Sequence, residues 1–271
     1  MHPSAMLNGK MFFDTYVARI GEVTVVDIGA QNVNGSLREV APDNAKYIGV
    51  DFVKGNGVDI VINDPYQLPF EDESVDAVIS SSCFEHSEMF WLVFNEILRI
   101  LRPSGLFYLN APSNGMFHRY PVDCWRFYPE AGKAMVTWAR RQGLNPVQLE
   151  SYVSVQHNGV WSDFIGVFLK DESHLGHHPE RIIDTFQNFQ NGMKHGHSGI
   201  LKYSEYPEDM QRIESLTQKV RELQHRELQM FNALEVSKQA LERARVEVTA
   251  ANQRAETAQE LLAKNGNKSA A

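Results

Sequence analysis

Short apolar runs, each closed by glycine, proline or an acid, recur through the first 170 residues and predict the architecture. Val23 to Ile28 is nearly continuous and β-branched, and Tyr47 to Val50, Val58 to Ile62, Val75 to Ile79 and Leu106 to Leu109 repeat the pattern. Runs that do not alternate with polar residues suit parallel strands buried on both faces. Between them, Phe90, Val93, Phe94, Ile97, Leu98 and Leu101 fall at the three-and-four spacing of an amphipathic helix, which Pro103-Ser104-Gly105 is predicted to stop. A second helix is predicted from Ala131 to Gln142, and two more strands from Val147 to Val155 and Val160 to Leu169, with His157-Asn158-Gly159 as the turn between them. Met11, Phe12, Tyr16 and Val17 share one face of a lead-in helix within residues 1–22. The alternation of strand and helix predicts an α/β, doubly wound sheet with helices on both faces.

A different period takes over near the end. From Met210 to Lys264 there is neither Gly nor Pro, and with Ile213 at a heptad a position, Val220, Leu234, Leu241 and Val248 follow at a and Leu216, Leu223 and Met230 at d. Only Glu227 and Ser237 interrupt the seam with polar side chains. A 3.5-residue repeat predicts a coiled-coil helix over 208–264, and one protomer cannot bury such a seam, so self-association follows. Residues 171–207, with five histidines at 174, 177, 178, 195 and 197 among Gly, Asn and Gln, are expected to be a mobile linker or an acceptor-side cover, and 265–271 a disordered tail.

Composition narrows the partners. A chain of 271 residues with 43% hydrophobic content supports one α/β core and an appendage. Its formal charge of -8 argues against a dedicated nucleic-acid binder. Cys83 and Cys124 have neither a disulfide framework nor a zinc spacing, which leads us to expect a reduced, cytoplasmic protein without a metal site. No window reaches the apolar length of a membrane span, so no direct membrane insertion is expected.

Two stretches carry candidate chemistry. In Val23 to Asp51, a strand, a turn bearing Gly29, a short helix and a second strand ending on an acid form the opening of a nucleoside site. Gly29 allows close backbone approach, and Asp51 can accept from two ribose hydroxyls. After the fifth strand, Asn110 to Tyr128 places His118, Arg119, Tyr120, Asp123, Trp125 and Arg126 within nine residues, at the sheet end where ligands bind. Aromatic rings there can stack on a sugar, and the arginines can grip phosphate or carboxylate.

The motifs D-I-G-A-Q at 27–31, I-G-V-D at 48–51, N-D-x-x-x-L-P-F at 63–70, S-V-D-A-V at 74–78, E-H at 85–86 and L-R-P-S-G-L at 101–106 stand in order at fitting intervals. Together they resemble a class I S-adenosylmethionine-dependent methyltransferase of the type 11 kind, over roughly residues 20 to 170. The loop H-R-Y-P-x-D-x-W-R-F resembles that of methyltransferases from cell-surface polysaccharide assembly. The resemblance implies a Rossmann-like, mostly parallel seven-stranded sheet with the last strand antiparallel, in a domain over 1–170, and S-adenosylmethionine as cofactor. It implies a cofactor site from Asp27, Gly29, Gln31, Asp51 and Phe52, with Asp64 and Pro65 at the adenine and Ser81 or Ser82 along the cleft. A hydroxyl acceptor would need a base from His86, His118 or Asp123, while a phosphate would need only Arg119 and Arg126. Tyr120, Trp125 and Asp163 complete the expected acceptor site. A sugar of a polysaccharide or its precursor is the expected acceptor, a small metabolite or a non-catalytic scaffold the alternatives. Other polysaccharide-assembly enzymes are expected partners of the tail. One departure stands out: Gln31 and Val33 occupy positions where the family carries glycines.

Overall fold

The computed structural model describes residues 2–155, 161–205 and 207–266. It divides into two compact units, Met1–Asp209 and Met210–Ala271. In the first, α1 (Pro3–Phe12) starts with proline in its first turn, where a missing N–H costs nothing, and runs into a π-helical turn at Phe13–Val17. That turn shifts the buried face to Phe12, Phe13, Tyr16 and Val17, leaving Met11 half-buried against the same core.

The sheet is built from β1 (Val23–Ile28), β2 (Ala45–Asp51), β3 (Ile60–Val61), β4 (Val75–Ser81), β5 (Leu101–Pro112), β6 (Val147–Ser154), β7 (Asp163–Leu169) and β8 (Phe189–Lys194), in the order β3-β2-β1-β4-β5-β7-β6-β8. β3, β2, β1, β4 and β5 are mutually parallel, and β7 runs antiparallel to both β5 and β6. One face is covered by α1, and the other by α2 (Phe90–Ile100) and α3 (Ala131–Arg141), each face with its own apolar cluster.

Three expectations need correction. The sheet has eight strands rather than seven, because β8, inside the segment expected to be a linker, pairs antiparallel with β6. Residues 171–205 are integral to this unit: α4 (Ile182–Thr185) buries Ile182 and Ile183, and β8 buries Phe189 and Met193. Pro103-Ser104-Gly105 does not separate helix from strand but lies within β5 as a bulge, since Val75 pairs with Leu101 and Ala77 already with Leu106. The predicted turn at 157–159 lies outside the described residues.

In the second unit, a single helix, α5 (Glu208–Gly266), spans the heptad region and runs two residues beyond its predicted end. The remainder of the expected tail lies outside the described residues. No helix among the described residues is long and apolar enough to cross a membrane.

Candidate active site

The strand order reverses at β1, which sits between β2 and β4, and an open α/β sheet forms a crevice at such a point. Here the crevice is a cavity of about 770 Å³. Asp27, Gly29, Gln31, Asp51, Phe52, Pro65, Ser81, Ser82, His86, His118 and Tyr120 all line it, so most of the residues singled out in the sequence converge on one space.

Gly29 ends β1 at φ 83°, and a Cβ there would stand 2.6 Å from Cβ and 2.7 Å from Sγ of Cys83. Only glycine fits this turn. The loop that follows compensates for its missing glycines with polar side chains. Asn32 Oδ1 accepts from Gly35 N at 2.8 Å, and Ser36 and Glu39 form a reciprocal capping box on the 3₁₀ turn Leu37–Val40. Asp51, 8% exposed, accepts from Gln31 N at 3.2 Å through Oδ2 and from Val53 N at 3.0 Å through Oδ1. A carboxylate oxygen can accept twice, so both retain capacity toward the cavity. Behind it, buried Asp27 accepts from the Tyr47 hydroxyl at 2.6 Å. Burial pushes the Asp27 carboxyl up to about 6, against the opposing pull of Tyr47 and Arg38. Ser82, after β4, holds φ 53°, a strained conformation for serine at the cavity wall.

On the acceptor side, the 3₁₀ turn Phe84–His86 and the loop 118–126 form one hydrogen-bonded body. Glu85 O accepts from Cys124 N at 2.7 Å and Trp125 N at 3.1 Å, and His86 Nδ1 lies 2.5 Å from Val122 O. A carbonyl only accepts, so Nδ1 carries the proton and Nε2 of the neutral ring keeps its lone pair. Burial lowers the His86 pKa, which holds the ring neutral. The His118 ring stands 4.9 Å from that of His86 and 5.0 Å from Trp161. The Tyr120 hydroxyl donates to Gln31 Oε1 at 2.8 Å and thereby ties the acceptor loop to the cofactor-side loop.

Six predicted site residues lie off the wall. Asp64 is exposed and turns back to accept from Tyr66 N at 2.9 Å, an Asx turn before Pro65, while Asn63 and Tyr66 line the cavity instead. Asp123 is no free base: its carboxylate accepts from Arg126 at 2.6 and 2.9 Å and from His118 N at 2.7 Å. Hydrogen bonds from Arg126 hold its pKa far below the ordinary carboxylate range. Arg126 also donates to Met116 O at 2.7 Å and Trp125 O at 2.8 Å, so it locks the loop rather than facing an acceptor. Arg119 is exposed and donates to Pro121 O at 3.2 Å. The Trp125 indole donates to Ser87 O at 2.8 Å and packs on Phe90 and Trp91. Asp163 is buried 3.5 Å from Nε2 of His2, and it is His2 that reaches the wall.

Sequence reasoning missed His2, Asn63, Tyr66 and Cys83; Trp161, expected at the start of the last strand with the acceptor within reach, precedes β7 and does line the cavity. Asn63 opens the N-D-x-x-x-L-P-F motif and Tyr66 lies within it, the one available signal; His2 arrives only through folding of α1. Among the described residues, no group of three His, Cys, Asp or Glu side chains is placed to hold a metal ion. The histidines of 171–205 have other contacts: His174 packs on His177, and His178 Nε2 lies 3.1 Å from Ser104 O.

Comparison with known proteins is consistent with this geometry. Residues 8–109 match the family described as methyltransferase domain. A 69-residue stretch is 38% identical to an uncharacterized methyltransferase of Mycobacterium sp. (strain KMS), covering 26% of this chain and 24% of the relative. A 71-residue stretch is 43% identical to the phthiotriol/phenolphthiotriol dimycocerosates methyltransferase of Mycobacterium tuberculosis, covering 25% of each. The chain thus spans about a quarter of the length of these curated relatives. Among solved structures, the Burkholderia thailandensis 1,6-didemethyltoxoflavin-N1-methyltransferase with bound S-adenosylhomocysteine aligns with a TM-score of 0.48 at 15% identity, covering 62% of this chain and 79% of that one. Residues 8–109 are thus similar to a methyltransferase domain, and the cavity at the sheet end is where such a domain would take S-adenosylmethionine.

Proposed function

We propose that the whole chain is an S-adenosylmethionine-dependent methyltransferase that methylates a hydroxyl of a neutral acceptor, a sugar of a cell-surface polysaccharide or its precursor. The observation that carries this reading is the make-up of the acceptor wall: His86 and His118 stand together on it, and none of its described residues is Lys or Arg. A phosphate or carboxylate acceptor needs a cation to receive it, and Arg119 and Arg126, the only candidates in the loop, are exposed or committed to Asp123. A hydroxyl acceptor needs a base instead. Tyr120 and Trp161 supply ring faces of the kind that stack on sugars.

Gly29 and Asp51, with Phe52, Asn63 and Pro65 along the same wall, would hold the cofactor, and Gly29, with Cys83 packed where a Cβ would stand, keeps the turn close against the end of β4. When bound, S-adenosylmethionine supplies an electrophilic methyl group. His86, its tautomer fixed by Val122, takes the acceptor proton on Nε2 as the acceptor oxygen gains the methyl. The Tyr120–Gln31 hydrogen bond holds the acceptor loop over the cavity and helps exclude water. The heptad seam exposed on α5 supports self-association through that helix, with other assembly enzymes as further partners, and two free cysteines suit a cytoplasmic setting.

Calorimetry with S-adenosylhomocysteine, followed by acceptor profiling against oligosaccharides, nucleotide sugars and small organic acids, tests the reading. We expect binding that Asp51→Ala weakens at least ~10-fold, the scale of lost hydrogen bonds to a charged group, and turnover on a neutral sugar hydroxyl that His86→Ala abolishes. Turnover confined to acids, or no cofactor binding at all, would overturn it.

A further inference from the structure

The charges around the cavity are one-sided. Asp27, Asp51 and Glu88 are its charged lining residues, and no Lys or Arg balances them among the described liners. One more carboxyl stands directly behind the wall. Glu85 lies between Phe84 and His86, both on the lining, yet its own side chain is 1% exposed. Oε1 is 3.7 Å from His86 Nε2, and Oε2 has no hydrogen-bond partner among the described residues. The nearby cation, Arg126, is bound to Asp123. A buried carboxyl with one oxygen left unpartnered costs stability and calls for an explanation in function. Its field reaches the interior: of the charges acting on Cys83, whose thiol lines the cavity against Gly29, Glu85 is the largest.

We infer that Glu85 is the charge that makes this cavity prefer the sulfonium cofactor over its neutral thioether product. The inference rests on the cofactor reading above. S-adenosylmethionine and S-adenosylhomocysteine share their adenosine and amino-acid ends and differ by a methyl group and one positive charge. A wall that carries carboxyls and no Lys or Arg discriminates on that charge, and so favours exchange of spent product for fresh cofactor. The groups facing Glu85 are His86 on its own turn, Asp123 and Arg126 on the acceptor loop, Asp163 on β7 and Cys83 after β4, with His118 beyond them against His86 and Asp123. Burial, with Asp163 adding to it, pushes the Glu85 carboxyl up to about 8, so near neutrality the empty cavity holds it mostly protonated. Arrival of a cation favours the ionised form, and the proton leaves to solvent.

Calorimetry on the full chain in two buffers of different ionisation enthalpy reads this directly, with S-adenosylmethionine and S-adenosylhomocysteine as probes and no acceptor. At pH 7, S-adenosylmethionine is expected to release roughly half a proton or more and S-adenosylhomocysteine close to none. The affinity ratio of the two should rise roughly tenfold in favour of S-adenosylmethionine between about pH 6.5 and 9, the scale of one unit charge acting through a protein-like dielectric. Glu85→Gln should flatten the ratio while keeping affinity for S-adenosylhomocysteine. Equal proton release by the two ligands in the wild type overturns the inference without any variant, as does a ratio that Glu85→Gln leaves unchanged. Failure of both ligands to bind the wild type overturns the cofactor reading and the inference with it.

Discussion

Gly29 has no room for a side chain, because the Cys83 Cβ and Sγ occupy the space a methyl would take. Gly29→Ala must therefore shift the β4 end or the loop after β1, at a cost of about 1 to 3 kcal/mol, and we expect binding of S-adenosylhomocysteine to be lost while the chain still folds. Unchanged affinity by calorimetry would remove Gly29 from the site. Asp27 makes the opposite trade. Its carboxyl is raised from 3.8 to about 6 in the folded chain, so the folded state binds more protons, and stability falls as pH climbs through that window. The penalty is full above about pH 6 and has a linkage value of about 3 kcal/mol. Asp27→Asn keeps an acceptor for Tyr47 and cannot ionise. Its urea midpoint should exceed that of the wild type at pH 7.5 and match it at pH 4, and a difference independent of pH would show that the carboxyl does not titrate as described. Asp27, Gly29 and Asp51 were legible in the sequence because the turn between two strands dictates their residue types. Asp123 and Arg126 were legible only as chemistry: residue types in a loop do not say which charges neutralise each other, and here they satisfy one another instead of facing a ligand.

The strand and helix alternation of residues 23–154 was readable because each run is long and apolar, whereas the last sheet element was not. β8 reads Phe-Gln-Asn-Gly-Met-Lys, with only Phe189 and Met193 buried among its apolar residues, and Asn191 at φ 50° breaks the regular pleat. Nothing in that composition outweighs the loop-like histidines and glycines around it. β8 pairs with β6, and the segment leading into it is anchored by a polar contact from far away in sequence. The buried Glu150 carboxylate of β6 accepts from the Tyr16 hydroxyl at 2.5 Å and from Ile182 N and Ile183 N at 2.8 and 3.0 Å, so it joins the lead-in helix to the start of α4. Glu150→Ala leaves a buried hydroxyl and two buried amides without an acceptor, which costs about 3 kcal/mol or more. Limited proteolysis should then cut within 171–205 well before the rest of the sheet, and urea should unfold the variant at a lower midpoint. Cleavage no faster than in the wild type would mean that β8 and α4 hold by apolar contacts alone.

The two compact units are stabilised in different ways. The sheet unit buries two apolar clusters, while the seam residues of α5, from Val220 at 52% to Met230 at 74% exposure, bury little within a single chain. A helix of 59 residues gains little from propensity alone and draws its stability from an apolar face that meets a partner. Self-association through the a and d positions, as proposed, would supply that partner in the form of a second copy, and Glu227 and Ser237, the polar layers in the seam, would set its register. Replacing Leu223 and Met230 together with lysine separates this from a solvated single helix, because Lys has almost the same intrinsic helix propensity as Leu and Met. If the seam is an interface, sedimentation should show the wild type associated and the double variant shifted to monomer, with a concerted loss of helical circular dichroism. A single helix that needs no partner would sediment as a monomer from the start and keep its helical signal in both. The sheet unit buries its own core, so its urea transition should be the same in the two proteins whichever outcome holds for the tail.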